Sequence, residues 1–587
     1  MTLLHGGQLP RFELDFQPSA AFRIELPPDL DYLDQQRRLT ILIPADFPSV
    51  LPRVFIQPSA YQKWPHCERS GLLCLWPENN EPQASPIEQI VDMIFDRISY
   101  VLHLVHPSTD DVERQSEFES EWLSYWPPNN PKKYRGHRSV LMLDVPDGLS
   151  QLDAQLVIKP GRRERSERSK MAQWDQLVLV ASDPLQMERW GAHFTRLDDP
   201  EAQAVAIYVP LTTPLPVGMP RTLVDIHSLL DDSASQLLSD TLNSASVKRT
   251  YVWVIFGATF EAGSAYVAVE LKPHIERWPP RTGYRSAKET RNADKMRPVT
   301  WAPRAIDVMR ADRAWLLDRA IDQKRLSLRT SRVLLVGCGS LGSLVGEALV
   351  RAGIGRITLV DPDQLEAANI GRHVLGVDSI GQYKTAALAR HFERIIPDVE
   401  IIPVKRKLED AARAEVDISS YDLVISTTAD WRCEQFLLDS QFGVAVAPPL
   451  VCAWIEPYGV AGHAFLRRSK HENFRSLFTD KGHFHRRCSV WPAGTTVRNL
   501  PACQATFQPA GLLGIQPVAN MVAQMALASL QSKIARGQLW TWWTSAAGTR
   551  EFGGEISVES ETLSENAINK IDWSRLADLH SKNDDPS

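Results

Sequence analysis

Apolar and polar positions alternate at the start of the chain. Phe12-Glu13-Leu14-Asp15-Phe16 and Phe22-Arg23-Ile24-Glu25-Leu26 each put every second side chain on one face, the period of a half-buried β-strand. A third apolar run, Leu39 to Pro44, passes through a proline-punctuated turn into Val54-Phe55-Ile56. From Ile87 to Val105 the apolar residues recur at helical spacing behind Ser85-Pro86, which predicts an amphipathic helix. Short strands followed by helices predict an α+β opening domain. The segment Tyr125-Trp126-Pro127-Pro128-Asn129-Asn130-Pro131 closes it, because proline and asparagine end regular structure.

Strand-like runs then follow at Ser139 to Leu143, Leu177 to Val180, Ala204 to Val209, Tyr251 to Phe256 and Ala265 to Leu271, with a polar helix over Leu223 to Asn243. They predict a mixed α/β or β-rich middle domain without a chemical motif, which reads as a spacer between two working domains. The Arg-rich stretch from Trp278 to Arg297, with Pro279-Pro280-Arg281, reads as an exposed linker. The expected division is residues 1–132, 133–298 and 299–587.

Length supports three to four domains for 587 residues. With 65 Lys and Arg against 71 Asp and Glu, the net charge is −6. Hydrophobic residues at 43% and charged residues at 23% exclude wholesale disorder and a strongly basic nucleic-acid carrier. Seven cysteines, an odd and small number for this length, argue against a secreted disulfide framework and for a reducing cytoplasm. Met1 to Gly7 lacks the basic and apolar regions of a signal peptide. The long uncharged stretch Asn499 to Ser532 is interrupted by Pro509, Gln516, Pro517, Asn520 and Gln524, so a buried helix is expected there and no membrane partner.

The sharpest local signal is a buried strand, Arg332 to Val336, a turn containing Gly337, Gly339 and Gly342, and a helix through Leu349. Glycines at this GxGxxG spacing let backbone N–H groups approach phosphate at a helix N-terminus. A second strand ends at Asp361, nineteen residues after Gly342, where a carboxylate suits ribose hydroxyls. This βαβ unit alone fits a nicotinamide enzyme equally well. Downstream, however, come Asn369-Ile370-Gly371-Arg372-His373, then Lys384, and Asp430 beyond the strand Leu423 to Ser426. Two cations for phosphate oxygens and an acid for Mg²⁺ favour nucleotidyl transfer from a triphosphate. A hydride carrier needs no such set.

This run resembles the adenylation domain shared by ThiF-like and ubiquitin-activating enzymes, over roughly Ala305 to Leu530. The resemblance implies a Rossmann-like fold and binding of ATP with Mg²⁺. It also implies that Asp361 holds ribose, that Asn369, Arg372 and Lys384 contact phosphates, and that Asp430 coordinates magnesium. The family often adds an arginine from the other protomer of a dimer, for which Arg313 and Arg319 are both candidates. None of the cysteines has the paired CxxC spacing of the family's structural zinc. The segment His483-Phe484-His485-Arg486-Arg487-Cys488 reads as an exposed basic loop.

Two further cysteines stand in distinctive settings. Cys503 lies in a proline-bounded loop before an apolar helix over Ile515 to Leu530, where the helix field would stabilise a thiolate. The run Cys503 through Gly511 resembles the cysteine loop of autophagy-type activating enzymes, with Cys488 in reserve. In the first domain, Phe47 to Phe55 resembles the YPxxPPxV segment of ubiquitin-conjugating enzymes, and Ser70-Gly71-Leu72-Leu73-Cys74-Leu75-Trp76 resembles their active-site stretch. Cys74 is therefore the candidate acyl acceptor and Cys67 a weaker alternative. Trp64-Pro65-His66 replaces the family's His-Pro-Asn, which puts His66 where an oxyanion donor would stand. A ring N–H would serve that role, or the imidazole would accept a proton from the attacking lysine.

Together these resemblances imply a relay. The C-terminus of a protein donor is adenylated, captured on Cys503, passed to Cys74 and joined to a target lysine. The arrangement resembles the fused ligases of CBASS antiphage operons, where the donor is the nucleotidyltransferase that makes cyclic oligonucleotides. A small bacterial ubiquitin-like protein is the alternative donor. A NAD-dependent oxidoreductase and a non-catalytic scaffold are the readings from other classes. The scaffold would tolerate serine at both Cys74 and Cys503, and nucleotide preference would separate the oxidoreductase. No direct nucleic-acid partner is expected.

Overall fold

A computed structural model describes residues 2–4, 18–76, 86–126, 137–158, 175–196, 203–211, 220–248, 250–260, 263–275, 299–318, 328–440, 447–479, 482–499 and 506–576. The expected strand Phe12 to Phe16, the Trp278 to Arg297 stretch, Arg319 and Cys503 lie outside the described residues. The chain forms two compact units, Met1–Asp312 and Arg313–Ser587.

The first unit opens with an antiparallel sheet in chain order, β1 (Thr2–Leu3), β2 (Pro18–Glu25), β3 (Arg38–Pro44) and β4 (Arg53–Gln57). Helix α1 (Ile87–Leu104) buries Ile90, Ile94, Ile98 and Val101 against Leu39, Ile41, Val54 and Ile56, the packing its spacing predicts. Helix α2 (Asp111–Ser120) starts at Asp110, whose side chain accepts from the Val112 N–H and satisfies one of the helix's free donors.

Eight strands make the second sheet: β5 (His137–Met142), β6 (Ser150–Ile158), β7 (Asp175–Ala181), β8 (Thr195–Arg196), β9 (Gln203–Pro210), β10 (Tyr251–Phe260), β11 (Gly263–Ile275) and β12 (Val299–Arg310). Their order is β7-β5-β12-β11-β10-β9-β6-β8, and pairing of β6 with β7 closes seven of them into a ring. Helix α3 (Pro184–Gly191) and two helices, α4 (Leu223–His227) and α5 (Asp232–Lys248), accompany the sheet. The single helix expected over 223–243 is split, with Thr222 and Asp225 forming a reciprocal cap at the start of α4. Strand β12 pairs with β11 and β5, so residues 299–310 belong to this sheet and not to the third domain. Pro303 inside the strand hides it from a reading that treats proline as a breaker.

Trp122 and Trp126 tie the opening domain to this sheet. Both are buried in one cluster with Ile207, Phe256 and Val269, and Trp126 Nε1 donates to the Ala268 carbonyl at 3.3 Å. The middle sheet is therefore more than a spacer, because it completes the core of the first domain's C-terminal end.

In the second unit, α6 (Arg313–Asp318) precedes a sheet of β13 (Arg332–Val336), β14 (Arg356–Val360), β15 (Glu400–Val404), β16 (Leu423–Ser426), β17 (Leu450–Ile455), β18 (Ala461–Arg467), β19 (Gln538–Trp543) and β20 (Ala567–Asp572). Strand order is β15-β14-β13-β16-β17-β18-β19-β20, parallel through β17 and antiparallel beyond. Order reverses at β13, and ligands of such sheets bind at the strand C-termini beside that point. The helices are α7 (Ser340–Arg351), α8 (Lys384–Ile395), α9 (Leu408–Ala414), α10 (Trp431–Ser440), α11 (Leu512–Leu530) and α12 (Ala546–Glu551). By length and composition α11 is apolar enough to cross a membrane. Its Ile515, Val518, Met521, Val522 and Met525 instead share a core with Val345 and Leu349 of α7.

Trp126→Ala is expected to lower the stability of the first unit by about 3–5 kcal/mol, the usual cost of truncating a buried aromatic side chain. Urea unfolding of the full chain followed by tryptophan fluorescence checks this.

Candidate functional site

The glycine turn is built for close approach. Gly337 has φ +88°, a conformation that disfavours any side chain. A Cβ at Gly342 would overlap the Gly337 carbonyl and crowd Thr427 Oγ1, so only glycine lets α7 start this near β13. A Cβ at Gly339 would meet nothing, which leaves open space in front of the helix N-terminus where a phosphate fits.

Asp361 fastens the turn. Its Oδ2 accepts from the Cys338 N–H at 2.7 Å and its Oδ1 from the Asp363 N–H at 2.8 Å. Burial pushes this carboxyl above its ordinary range, against the pull of those two N–H groups. Two residues with no assigned role join it. The Leu375 N–H donates to His373 Nδ1, so His373 Nε2 carries the proton and donates to the Cys338 carbonyl at 2.9 Å. Thr427 Oγ1 donates to the Gly337 carbonyl at 2.8 Å. His373 stands beside Arg372 and Thr427 follows the strand Leu423 to Ser426, but contacts across 35 and 90 residues leave no local trace.

Among the expected phosphate ligands, one is bonded to this helix start. Arg372 Nε donates to Ser340 Oγ at 2.9 Å, which brings its guanidinium to the first turn of α7. Lys384 is buried and its Nζ lies 3.0 Å from Asp363 Oδ2. Asn369 accepts from the Glu366 N–H, a local cap. Asp430 is exposed just beyond β16, with Oδ1 accepting from the Arg432 N–H. One exposed carboxylate beside a phosphate site fits Mg²⁺, which keeps several waters and takes one or two carboxylates plus substrate oxygens. Arg313 does not fit the arginine role. It is buried, paired with Asp398 at 2.9 Å and bonded to the Gly353 carbonyl, past the far end of a helix about 18 Å long.

In the first unit, Cys74 is the only one of the six described cysteines that is not buried. Its N–H donates to the His66 carbonyl at 2.8 Å and its Sγ to Glu68 Oε1 at 3.7 Å. Burial, then the Glu121 and Glu68 carboxylates, push its thiol up to about 12. Cys67 is buried and pushed up to about 11, mainly by burial.

His66, expected as an oxyanion donor or proton acceptor, has its ring held between two carboxylates. Nδ1 lies 2.7 Å from Glu121 Oε1 and Nε2 lies 2.9 Å from Glu117 Oε2, so both ring nitrogens are engaged. Burial pulls its pKa down, but the two carboxylates outweigh that and the net shift is upward. The backbone is at φ 58°, where the His66 N–H meets Glu121 Oε2 and Tyr125 Oη. His66 is an ion-paired anchor that places the carbonyl to which Cys74 is bonded.

Cys488 is also corrected. His483 and His485 are exposed, but Cys488 turns inward and is 0% exposed, which removes it as a reserve nucleophile. Cys488, Glu456 and His463 hold potential ligand atoms within 4.8 Å of one another. Glu456 already accepts from the N–H groups of Cys488 and Ser489, from Ser489 Oγ and from His463 Nε2. Its lone pairs are filled, so the cluster holds the segment onto β18 and does not offer a cation site.

The His66 ion pairs make the stability of the first unit depend on pH. A pKa raised above 6.5 gives a contribution that is complete below that value and is lost as pH rises through the folded-state value. The urea midpoint of the first unit should therefore fall as pH rises above 6.5. The double change Glu117→Gln/Glu121→Gln should flatten that fall. A midpoint equally steep in both proteins would contradict the ion-pair account.

Residues 311–548 match the ThiF family and residues 30–134 match prokaryotic E2 family B. The ATP-dependent ubiquitin transferase-like protein Cap2 of Enterobacter hormaechei is 32% identical over 154 residues, 26% of this chain and 25% of that protein. Its Escherichia coli namesake is 23% identical over 385 residues, 62% of each chain. Molybdopterin-synthase adenylyltransferase of Escherichia coli is 39% identical over 103 residues, 17% of this chain and 41% of that one. The chain thus spans from 25% to 62% of the length of the Cap2 proteins it matches. It joins a prokaryotic E2 family B domain to a ThiF family domain.

Proposed function

We propose that this chain is an ATP-dependent protein-conjugating enzyme. The carrying observation is that one chain holds a glycine turn whose helix start is reached by Arg372, and a segment matching prokaryotic E2 family B in which Cys74, among the described cysteines, is the thiol that is not buried. Asp361 would take the ribose, and Arg372 and Lys384 the phosphate oxygens, aided by the field of α7. Magnesium held at Asp430 would supply charge neutralisation for the departing pyrophosphate. The donor's C-terminal carboxylate attacks the α-phosphorus, giving an acyl adenylate. Cys503 displaces AMP, and the acyl group moves to Cys74 and then to a target lysine. Each thioester preserves the activation that makes the final amide formation downhill.

We infer that the donor is a nucleotidyltransferase that makes cyclic oligonucleotides, in an antiviral CBASS setting, a reading that rests on the resemblance of the domain arrangement to the fused ligases of such operons, with a small ubiquitin-like protein as the alternative donor. The free thiol at Cys74 suits a reducing cytoplasm. The ATP site is completed by an arginine from a second copy in a homodimer, with Arg319 the remaining candidate.

With candidate donor, ATP and Mg²⁺, the chain should release AMP and pyrophosphate and form a thiol-sensitive adduct. Asp430→Ala should slow pyrophosphate release about 100-fold, the scale of losing one charge-stabilising group. Binding of NAD in preference to ATP, or release unchanged by Asp430→Ala, would overturn the reading.

A further inference from the structure

Three carboxylates lie around His66 and Cys74, and two are committed to His66. Glu121 and Glu117 hold His66, and they also accept from Tyr125 Oη and Tyr100 Oη. The third, Glu68, is exposed and its Oε1 accepts the hydrogen of Cys74 Sγ at 3.7 Å. Its backbone is fixed independently of its side chain. The Glu68 N–H donates to the Leu72 carbonyl at 2.8 Å, and the Glu68 carbonyl accepts from the Gly71 N–H at 2.9 Å. Ser59 Oγ and Cys67 Sγ also donate to that carbonyl. The neighbouring Arg69 lies over the Tyr61 ring, 5.3 Å from its centroid.

Acylation of Cys74 removes the S–H. The carboxylate that had been its acceptor then loses that donor while its backbone keeps it beside the sulfur. An ammonium is a donor that suits an exposed carboxylate, and a nitrogen bonded there is brought to the thioester carbonyl. Both ring nitrogens of His66 are already engaged.

We propose that Glu68 receives the attacking amine at Cys74, replacing the thiol hydrogen bond with one from the target's ammonium and taking a proton from it as the amide forms. This rests on the reading of Cys74 as the acyl carrier. In the step, one ammonium proton passes to the Glu68 carboxylate and the freed lone pair forms the C–N bond. The C–S bond breaks with its electron pair going to Sγ. A second nitrogen proton ends on Sγ, restoring the thiol whose high pKa favours that form, and Glu68 returns its proton to water. Amide, thiol and one released proton balance the acylated cysteine and the ammonium.

The test uses the full chain carrying Cys503→Ser. Cys74 is acylated by exchange with a short peptide mercaptoethanesulfonate thioester, so loading needs neither ATP nor the donor. Discharge is followed by intact mass with Nα-acetyl-lysine amide and, separately, with hydroxylamine, an amine already neutral at pH 7. Glu68→Gln should slow discharge to the lysine compound at least about tenfold and leave hydroxylamine within about twofold. Glu68→Asp should recover part of the loss. Equal slowing with both amines, or no slowing with either, overturns the proposal. So does failure of Cys74 to accept the peptide, because an accessible sulfur is its premise. If Glu68 behaves as expected here but no donor adduct ever reaches Cys74 in cells, the relay fails and the Glu68 assignment stands.

Discussion

The Gly337 carbonyl occupies the space that any side chain on residue 342 would need, and the nucleotide end of the protein is organised by that contact. Because helix and strand touch there, the first N–H groups of α7 face the sheet's C-terminal edge and not solvent at large. Asp361 then pins the turn through the Cys338 N–H, and His373 holds the carbonyl of the same residue. Arg372 and Lys384 are placed by what this leaves open, one on Ser340 and the other on Asp363. A buried carboxylate bonded to backbone is costly unless its acceptors are filled, and here the glycine turn supplies one of the donors that fill them.

The conjugating end uses charge differently. Burial, and then the carboxylates beside it, disfavour the Cys74 thiolate, so the resting residue favours the thiol. Low resting reactivity suits a residue that must accept an acyl group from a docked partner and avoid stray electrophiles. His66 offsets the local negative charge of two of those acids, and its carbonyl fixes the Cys74 backbone. The acidic surroundings thus restrain the free thiol and, through Glu68, favour a cationic amine once the thioester is made.

What the sequence disclosed follows from how local each signal is. The β13–α7–β14 unit, α1 and the strands at Leu39 to Pro44 and Tyr251 to Phe256 were legible because their periods and glycine spacing lie within a few residues. Strand β12 was missed because Pro303 sits inside it and its partners are remote. The carboxylate partners of His66 were not legible because they stand 51 and 55 residues later on a separate helix and turn. Cys488 looked exposed beside Arg486 and Arg487, yet Glu456, 32 residues earlier, draws its backbone inward. Long-range ion pairs and buried acceptors have no sequence period, so only the folded chain reveals them.

The central claim is that an acyl group activated in the second unit comes to rest on Cys74 in the first. Intact-mass analysis of the Cys74→Ser protein, expressed with the proteins encoded beside it, tests this most directly, because serine traps the relay as a slower-reacting oxyester. The account predicts an adduct on the substituted serine that disappears when Asp430 or Cys503 is also replaced, with a mass that identifies the donor. ATP binding with no adduct in any combination would contradict it, and would leave a ThiF-like adenylating domain beside an E2-like domain that accepts no acyl group.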